Sequence, residues 1–198
     1  MKKIISFEGC IGAGKTTLTN YFSYEFKCDK LLEAYDVNPF LKDFYANIDV
    51  TLETELTFLL IHYSQLKRAI KESKAEFILS DFSIEKDLVY AKLNLKDNEL
   101  EVFEKVYNYV VDKVGLPSIV IYIDLSLDIL RRRIFQRGRP YEIDTDPNYF
   151  KEYNDKVKEY FKKFSGSKVF FYNVDDLVLD PKNSKLQQIK EKLSDEMK

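Results

Sequence analysis

The sequence predicts an α/β fold, a three-layer sandwich in which a five-stranded parallel sheet carries helices on both faces. Three observations predict it. Short apolar runs alternate with stretches of helical periodicity, the pattern that builds a parallel sheet through crossover helices. The run Ile119-Val120-Ile121-Tyr122-Ile123 is continuously apolar, as a strand covered on both faces must be. The first strand-to-helix junction carries the glycine-rich loop Gly9-Cys10-Ile11-Gly12-Ala13-Gly14-Lys15-Thr16, at a position where such sheets bind ligands.

That loop follows the apolar run Ile4-Ile5-Ser6-Phe7 and opens a segment, Thr17 to Phe26, that reads as a helix. It is G-x-x-x-x-G-K-T in its confirming context, a phosphate-binding P-loop. The glycines let the backbone wrap an anion with its N–H groups inward, and the helix N-terminus adds partial positive charge. Lys15 is expected to reach the β and γ phosphates, and Thr16 to offer its hydroxyl to Mg²⁺. The fold is therefore expected to be of the P-loop NTPase type, with an ATP or GTP site, and the open question is what receives the phosphate.

The chain of 198 residues has no linker-like, repeated or low-complexity stretch, so one domain spanning 1–198 is expected. Its 31 basic and 33 acidic residues leave a formal charge of −2, which argues against nucleic acid as the main partner. The two cysteines, Cys10 and Cys28, make no disulfide framework and fit a reduced, cytoplasmic setting. The apolar run after Met1-Lys2-Lys3 is too short for a signal-peptide core, and no later run approaches membrane-spanning length.

Further along, a second short strand is read at Leu31-Leu32, ending in Glu33 before Asn38-Pro39. A carboxylate at a strand end can face the transferred phosphate, although a surface acid reads the same way. Apolar residues at helical spacing from Leu52 to Lys71 predict a long amphipathic helix, on which Glu55 and His62 lie two turns apart along one side. His62 suits either a cleft or a structural role. Glu76 to Ser80 reads as a buried strand ending in Asp81, where P-loop enzymes hold their metal through water and where a turn-forming Asp is the competing reading. Another helix is expected from Asn98 to Val114, then the strand at Ile119, then a helix from Leu127. This last runs into Arg131, Arg132, Arg133, Arg137 and Arg139. Arginines spaced three and four apart and closed by Gly138 and Pro140 suggest an Arg-rich lid over ATP, neutralising charge as the γ-phosphoryl moves. A solvated helix face is the alternative. Pro147 to Lys163 as helix, Lys168 to Val174 as the last strand and Asn183 to Glu196 as the closing helix complete five strands.

Four blocks in this order resemble the deoxyribonucleoside kinase family, specifically its bacterial purine-directed members. They are the P-loop; Glu33-Ala34-Tyr35-Asp36-Val37-Asn38-Pro39-Phe40, similar to the family's E-P-V-x-x-N-P-Y; the helix Thr54 to His62; and Arg133-x-x-x-Arg137-Gly138-Arg139, similar to its lid. The resemblance implies that Glu33 accepts the proton of the sugar 5′-hydroxyl, that Tyr45 and Glu142 together hold the 3′-hydroxyl, and that two copies pair through the two long helices. It also implies base contacts for Glu55, His62 and Asp87. Two departures stand out. Where Glu55 aligns, many members have Gln; an ionised carboxylate has acceptors only, which suits guanine's adjacent N1–H and 2-amino donors over adenine. This pattern resembles bacterial deoxyguanosine kinases and predicts guanine preference, with deoxyadenosine or a broader range as the alternative. The second departure is Asp81-Phe82-Ser83, where the family commonly has Arg after the acid to hold the 5′-hydroxyl and phosphate. That work is absent here or done elsewhere.

Rival readings are weaker. A nucleoside monophosphate kinase shares the loop and lid but needs positive charge for its acceptor's phosphate, and the D-R motif of thymidylate kinases is broken at Phe82. A guanine-nucleotide switch reads its base with N-K-x-D, and no Asn here precedes a Lys. A nucleotide-dependent assembly protein would not need the Glu33 block or the arginines.

Overall fold

The computed structural model describes residues 3–139 and 147–198. Five strands, β1 (Lys3–Glu8), β2 (Asp29–Leu31), β3 (Phe77–Ser80), β4 (Ile119–Asp124) and β5 (Lys168–Asn173), form one sheet in the order β2-β3-β1-β4-β5, and every pairing is parallel. The described helices are α1 (Lys15–Phe26), α2 (Leu41–Tyr45), α3 (Thr51–Glu72), α4 (Ile84–Asn94), α5 (Asp97–Val114), α6 (Leu127–Arg137), α7 (Pro147–Lys163) and α8 (Ser184–Glu196), with a 3₁₀ turn at Tyr35–Val37.

The expected sheet is thus present, and its central strands are apolar throughout because helices cover them on both sides. Two clusters of buried side chains result. One packs Ile5, Phe7, Ile121 and Ile123 with Leu18 and Phe22 of α1, Val157 and Phe161 of α7, and Leu186, Ile189 and Leu193 of α8. The other joins Ile4 to Leu59 and Leu66 of α3, Ala91 of α4, and Phe103, Tyr107 and Val110 of α5. Strand order places β1 and β3 side by side at the centre, so the P-loop after β1 and the segment after β3 leave the sheet as neighbours. Glu8 ties the two together: its buried carboxylate accepts from the Ser83 N–H at 2.6 Å.

Two expectations needed correction. The second strand is Asp29–Leu31, two residues earlier than read, because its register against β3 pairs Leu31 with Ser80 and leaves Leu32 and Glu33 past the sheet edge. Helix α4 had no counterpart in the sequence reading. Its first turn holds Glu85, Lys86 and Asp87 in succession, all buried, and three adjacent buried charges hide the apolar periodicity by which a helix is recognised.

Candidate active site

Gly9 runs so close to β4 that a Cβ there would stand 2.4 Å from the Ile123 carbonyl oxygen, and Gly14 caps α1 in the left-handed region at φ 95°. Those two positions explain why the loop is glycine-rich: one lets the chain pass the sheet, the other turns it into the helix. Lys15 folds back over the loop, its ammonium donating to the Gly9 carbonyl at 2.8 Å and the Cys10 carbonyl at 3.0 Å. Cys10 is buried beneath the loop. Ile11, Gly12, Ala13, Gly14, Lys15, Thr16 and Thr17 line one end of a cleft of about 730 Å³.

The same cleft is lined by Glu33, Tyr45, Glu55, His62, Asp81, Asp87, Arg133, Arg137 and Arg139, so nearly every residue singled out from the sequence converges on one cavity. Glu142 lies outside the described residues, and with it the expected pairing to Tyr45. Of the five arginines, Arg133, Arg137 and Arg139 face the cleft while Arg131 and Arg132 are exposed. Arg133 donates to the Ala13 carbonyl at 3.1 Å, and the Arg139 guanidinium lies 3.6 Å from the centre of the Tyr35 ring, a cation–π contact across the cleft mouth.

Asp81 joins the two halves of the site. One of its carboxylate oxygens accepts the Thr16 hydroxyl at 2.5 Å, and the other accepts the backbone N–H of Glu33 at 2.7 Å. Gln65 of α3 clamps the chain on both sides of Glu33, donating to the Leu32 carbonyl at 2.7 Å and accepting the Ala34 N–H at 3.3 Å. Glu33 is consequently held at a fixed distance from the P-loop although it belongs to a loop beyond the sheet.

The Glu33 side chain sits in a chain of charges drawn from two helices and a loop. Its Oε1 accepts from the Lys86 ammonium at 2.9 Å and lies 3.2 Å from His62 Nε2, an ion pair whose angle falls short of a hydrogen bond. On the other side, His62 Nδ1 meets the Asp87 carboxylate at 2.8 Å, and the ring stacks on Phe82 at 4.4 Å between centroids. Burial works against a charged His62, but Asp87 and then Glu33 outweigh it and lift the imidazole to about 9, so it is an imidazolium at neutral pH. Burial likewise opposes ionised Glu33, yet Lys86 and His62 hold its carboxyl well below the usual range. It is a carboxylate poised to accept a hydrogen bond, not a strong base.

Glu55 is 4 % exposed on α3, and one oxygen accepts from the Asn94 side chain at 2.7 Å. Burial pushes its carboxyl up to about 8, with Asn94 opposing and Asp87 assisting. Burial and the nearby Asp87 thus favour the neutral form of Glu55 in the ligand-free protein, so ionisation there needs a partner that donates hydrogen bonds.

Lys86, Asn94, Gln65 and Tyr35 are among the site residues that the sequence reading missed, as are Phe58, Tyr90 and Tyr153 in the cleft wall. The one signal bearing on Lys86 was negative, the lack of Arg after Asp81, which left open whether that cation's work is absent or done elsewhere. Phe82 is fully buried against His62 instead.

The profile of the family described as "Deoxynucleoside kinase" matches residues 5–197. A deoxyguanosine kinase of Bacillus subtilis is 35% identical over 151 residues, covering 75% of this chain and 73% of that protein. A deoxyadenosine kinase of Lactobacillus acidophilus is 31% identical over an alignment of 213 residues that covers 98% of this chain and 97% of that protein. Among solved structures, a deoxyadenosine kinase from M. mycoides with bound dATP superposes with a TM-score of 0.82 at 24% identity, over 96% of this chain and 99% of that one, which supports the fold. The chain belongs to the deoxynucleoside kinase family, ATP-dependent enzymes that phosphorylate deoxynucleosides.

Proposed function

We propose that the protein phosphorylates the 5′-hydroxyl of a purine deoxynucleoside, deoxyguanosine above others, with ATP as donor. The observation that carries this reading is the Asp81 bridge, which holds the P-loop threonine and the Glu33 backbone on one carboxylate. Phosphoryl transfer through a loose transition state needs a donor and an acceptor held in line more than it needs a strong base. Glu33 receives the 5′-hydroxyl proton, Tyr45 meets the sugar, and Arg133, Arg137 and Arg139 together with Lys15 surround the phosphates. Thr16 and Asp81, two oxygen donors beside the phosphate loop, fit a Mg²⁺ that keeps several waters; the ion supplies charge neutralisation at the phosphates.

Glu55 and Asn94 stand where the base is read. Guanine's paired donors favour an ionised Glu55, so binding deoxyguanosine releases a proton. A second reading has its own support: neutral Glu55 offers one donor and one acceptor, as Gln does, and accommodates deoxyadenosine. We also propose a homodimer, because exposed Leu60 on α3 and Val102 and Tyr109 on α5 leave apolar surface on the two long helices, and a cytoplasmic setting, with which the free Cys10 and Cys28 agree. Among the described residues no helix is long and apolar enough to cross a membrane.

The test is to incubate the protein with Mg·ATP and each of the four deoxynucleosides and separate the products. Deoxyguanosine converted fastest to its 5′-monophosphate supports the full reading. Deoxyadenosine ahead of it supports the second reading, and conversion of monophosphates alone overturns both.

A further inference from the structure

Lys86 is the only lysine or arginine that is buried among the described residues, 6 % exposed, and it lines the cleft. A buried ammonium is costly unless its donors are used. Its one hydrogen-bond partner among the described residues is Glu33 Oε1 at 2.9 Å, so two of its three N–H bonds have no protein acceptor there. Lys15, by contrast, spends its donors on the Gly9 and Cys10 carbonyls, and Arg133 spends one on Ala13. The two ammonium groups are near enough that Lys86 helps to lower the pKa of Lys15, after burial. Lys15 and Lys86 both line the cleft, so an anion bound there meets two ammonium groups.

The charge count is as informative as the geometry. Glu33, Asp87, Lys86 and the His62 imidazolium form a chain of contacts whose formal charges cancel. His62 divides its charge between Asp87 and Glu33, so Lys86 is the cation that balances the resting chain. An unbalanced positive charge appears when Glu33 is protonated, because the chain then carries a net positive charge.

Resting on the deoxynucleoside kinase reading above, we propose that Lys86 is a catalytic cation, which turns from Glu33 to the phosphoryl group in flight as Glu33 takes up the acceptor's proton. In that step the bond between the 5′-oxygen and the γ-phosphorus forms while the bond from that phosphorus to the β–γ bridging oxygen breaks. The hydroxyl proton passes to Glu33 and ADP leaves. Lys86 remains an ammonium throughout. Its stabilisation is greater in the transition state than in the ground state, because its competitor for hydrogen bonds loses its charge at that moment.

The experiment uses the full chain with whichever deoxynucleoside the wild type converts. Lys86→Met is expected to lower kcat by about a hundredfold or more while the dissociation constant for the nucleoside changes less than about threefold, with the melting temperature confirming that the protein folds. Lys86→Arg is expected to keep more turnover than Lys86→Met. In Lys86→Ala, added ethylamine is expected to restore turnover in a concentration-dependent way, which needs no comparison between differently stable proteins. A Lys86→Met enzyme with kcat within about threefold of wild type, a loss confined to nucleoside binding, or no response to the amine overturns the proposal. Wild-type protein that converts no deoxynucleoside overturns instead the reading on which the proposal rests.

Discussion

The two ends of the cleft are built in opposite ways. The phosphate end is one continuous stretch, Gly9 to Thr17, whose shape follows from glycines at positive φ and from the helix that begins at Lys15. The acceptor end is assembled from Glu33 in a loop, Glu55, His62 and Gln65 on α3, and Lys86, Asp87 and Asn94 on α4. A local device can be recognised wherever its spacing occurs, because neighbours in the chain set its geometry. An assembled one depends on the fold that brings three segments together, and its members can change identity provided that the charges and hydrogen bonds still close. Buried Phe82 follows Asp81 where the resemblance led one to expect an Arg, and Lys86 instead reaches Glu33 from the first turn of α4.

Substitutions at the two ends should therefore fail in different ways. The largest effect is expected at the local end: Lys15→Met removes the cation that follows the γ-phosphoryl and should lower kcat/KM by about a thousandfold for every deoxynucleoside alike. A loss that differed among acceptors would show that the phosphate end also reads the base. Next, Glu33→Gln should reduce kcat by about a hundredfold with little change in nucleoside affinity, since the amide keeps the shape but cannot take the proton; unchanged kcat would remove Glu33 from the chemistry.

The smallest effect is at the base. Glu55→Gln should shift the ratio of kcat/KM for deoxyguanosine over deoxyadenosine toward adenine by about tenfold. The pH dependence sharpens this test. Burial raises the Glu55 carboxyl to about 8, so it is protonated below that pH and ionised above it. Guanine needs the ionised form, so the wild-type ratio should rise between about pH 7 and about pH 9, whereas Glu55→Gln should show no such rise. A flat wild-type profile would mean that Glu55 does not choose the base.

The arginines show how far a sequence pattern reaches. Five in nine residues marked a phosphate-facing segment, yet helix geometry puts Arg133 and Arg137 on the cleft and Arg131 and Arg132 away from it, and Arg139 reaches the cleft from beyond the Gly138 cap. Glu55 shows the converse. Its presence in place of Gln was legible, but its protonation state was not, because that depends on burial and on Asp87 from another helix.

From the sequence alone came the parallel sheet, the phosphate loop, the order of the elements and, with the exception of Lys86, the charged residues that line the cleft. These are properties of periodicity and short-range spacing, which the chain carries in itself. Tertiary structure decided the rest: the α4 helix whose first turn buries three charges, the Asp81 bridge that ties Thr16 to Glu33, and the pairing of Lys86 and His62 with one carboxylate. Those features depend on Coulomb interactions and desolvation between segments far apart in the chain, and their signs are set only when the water between them has been removed.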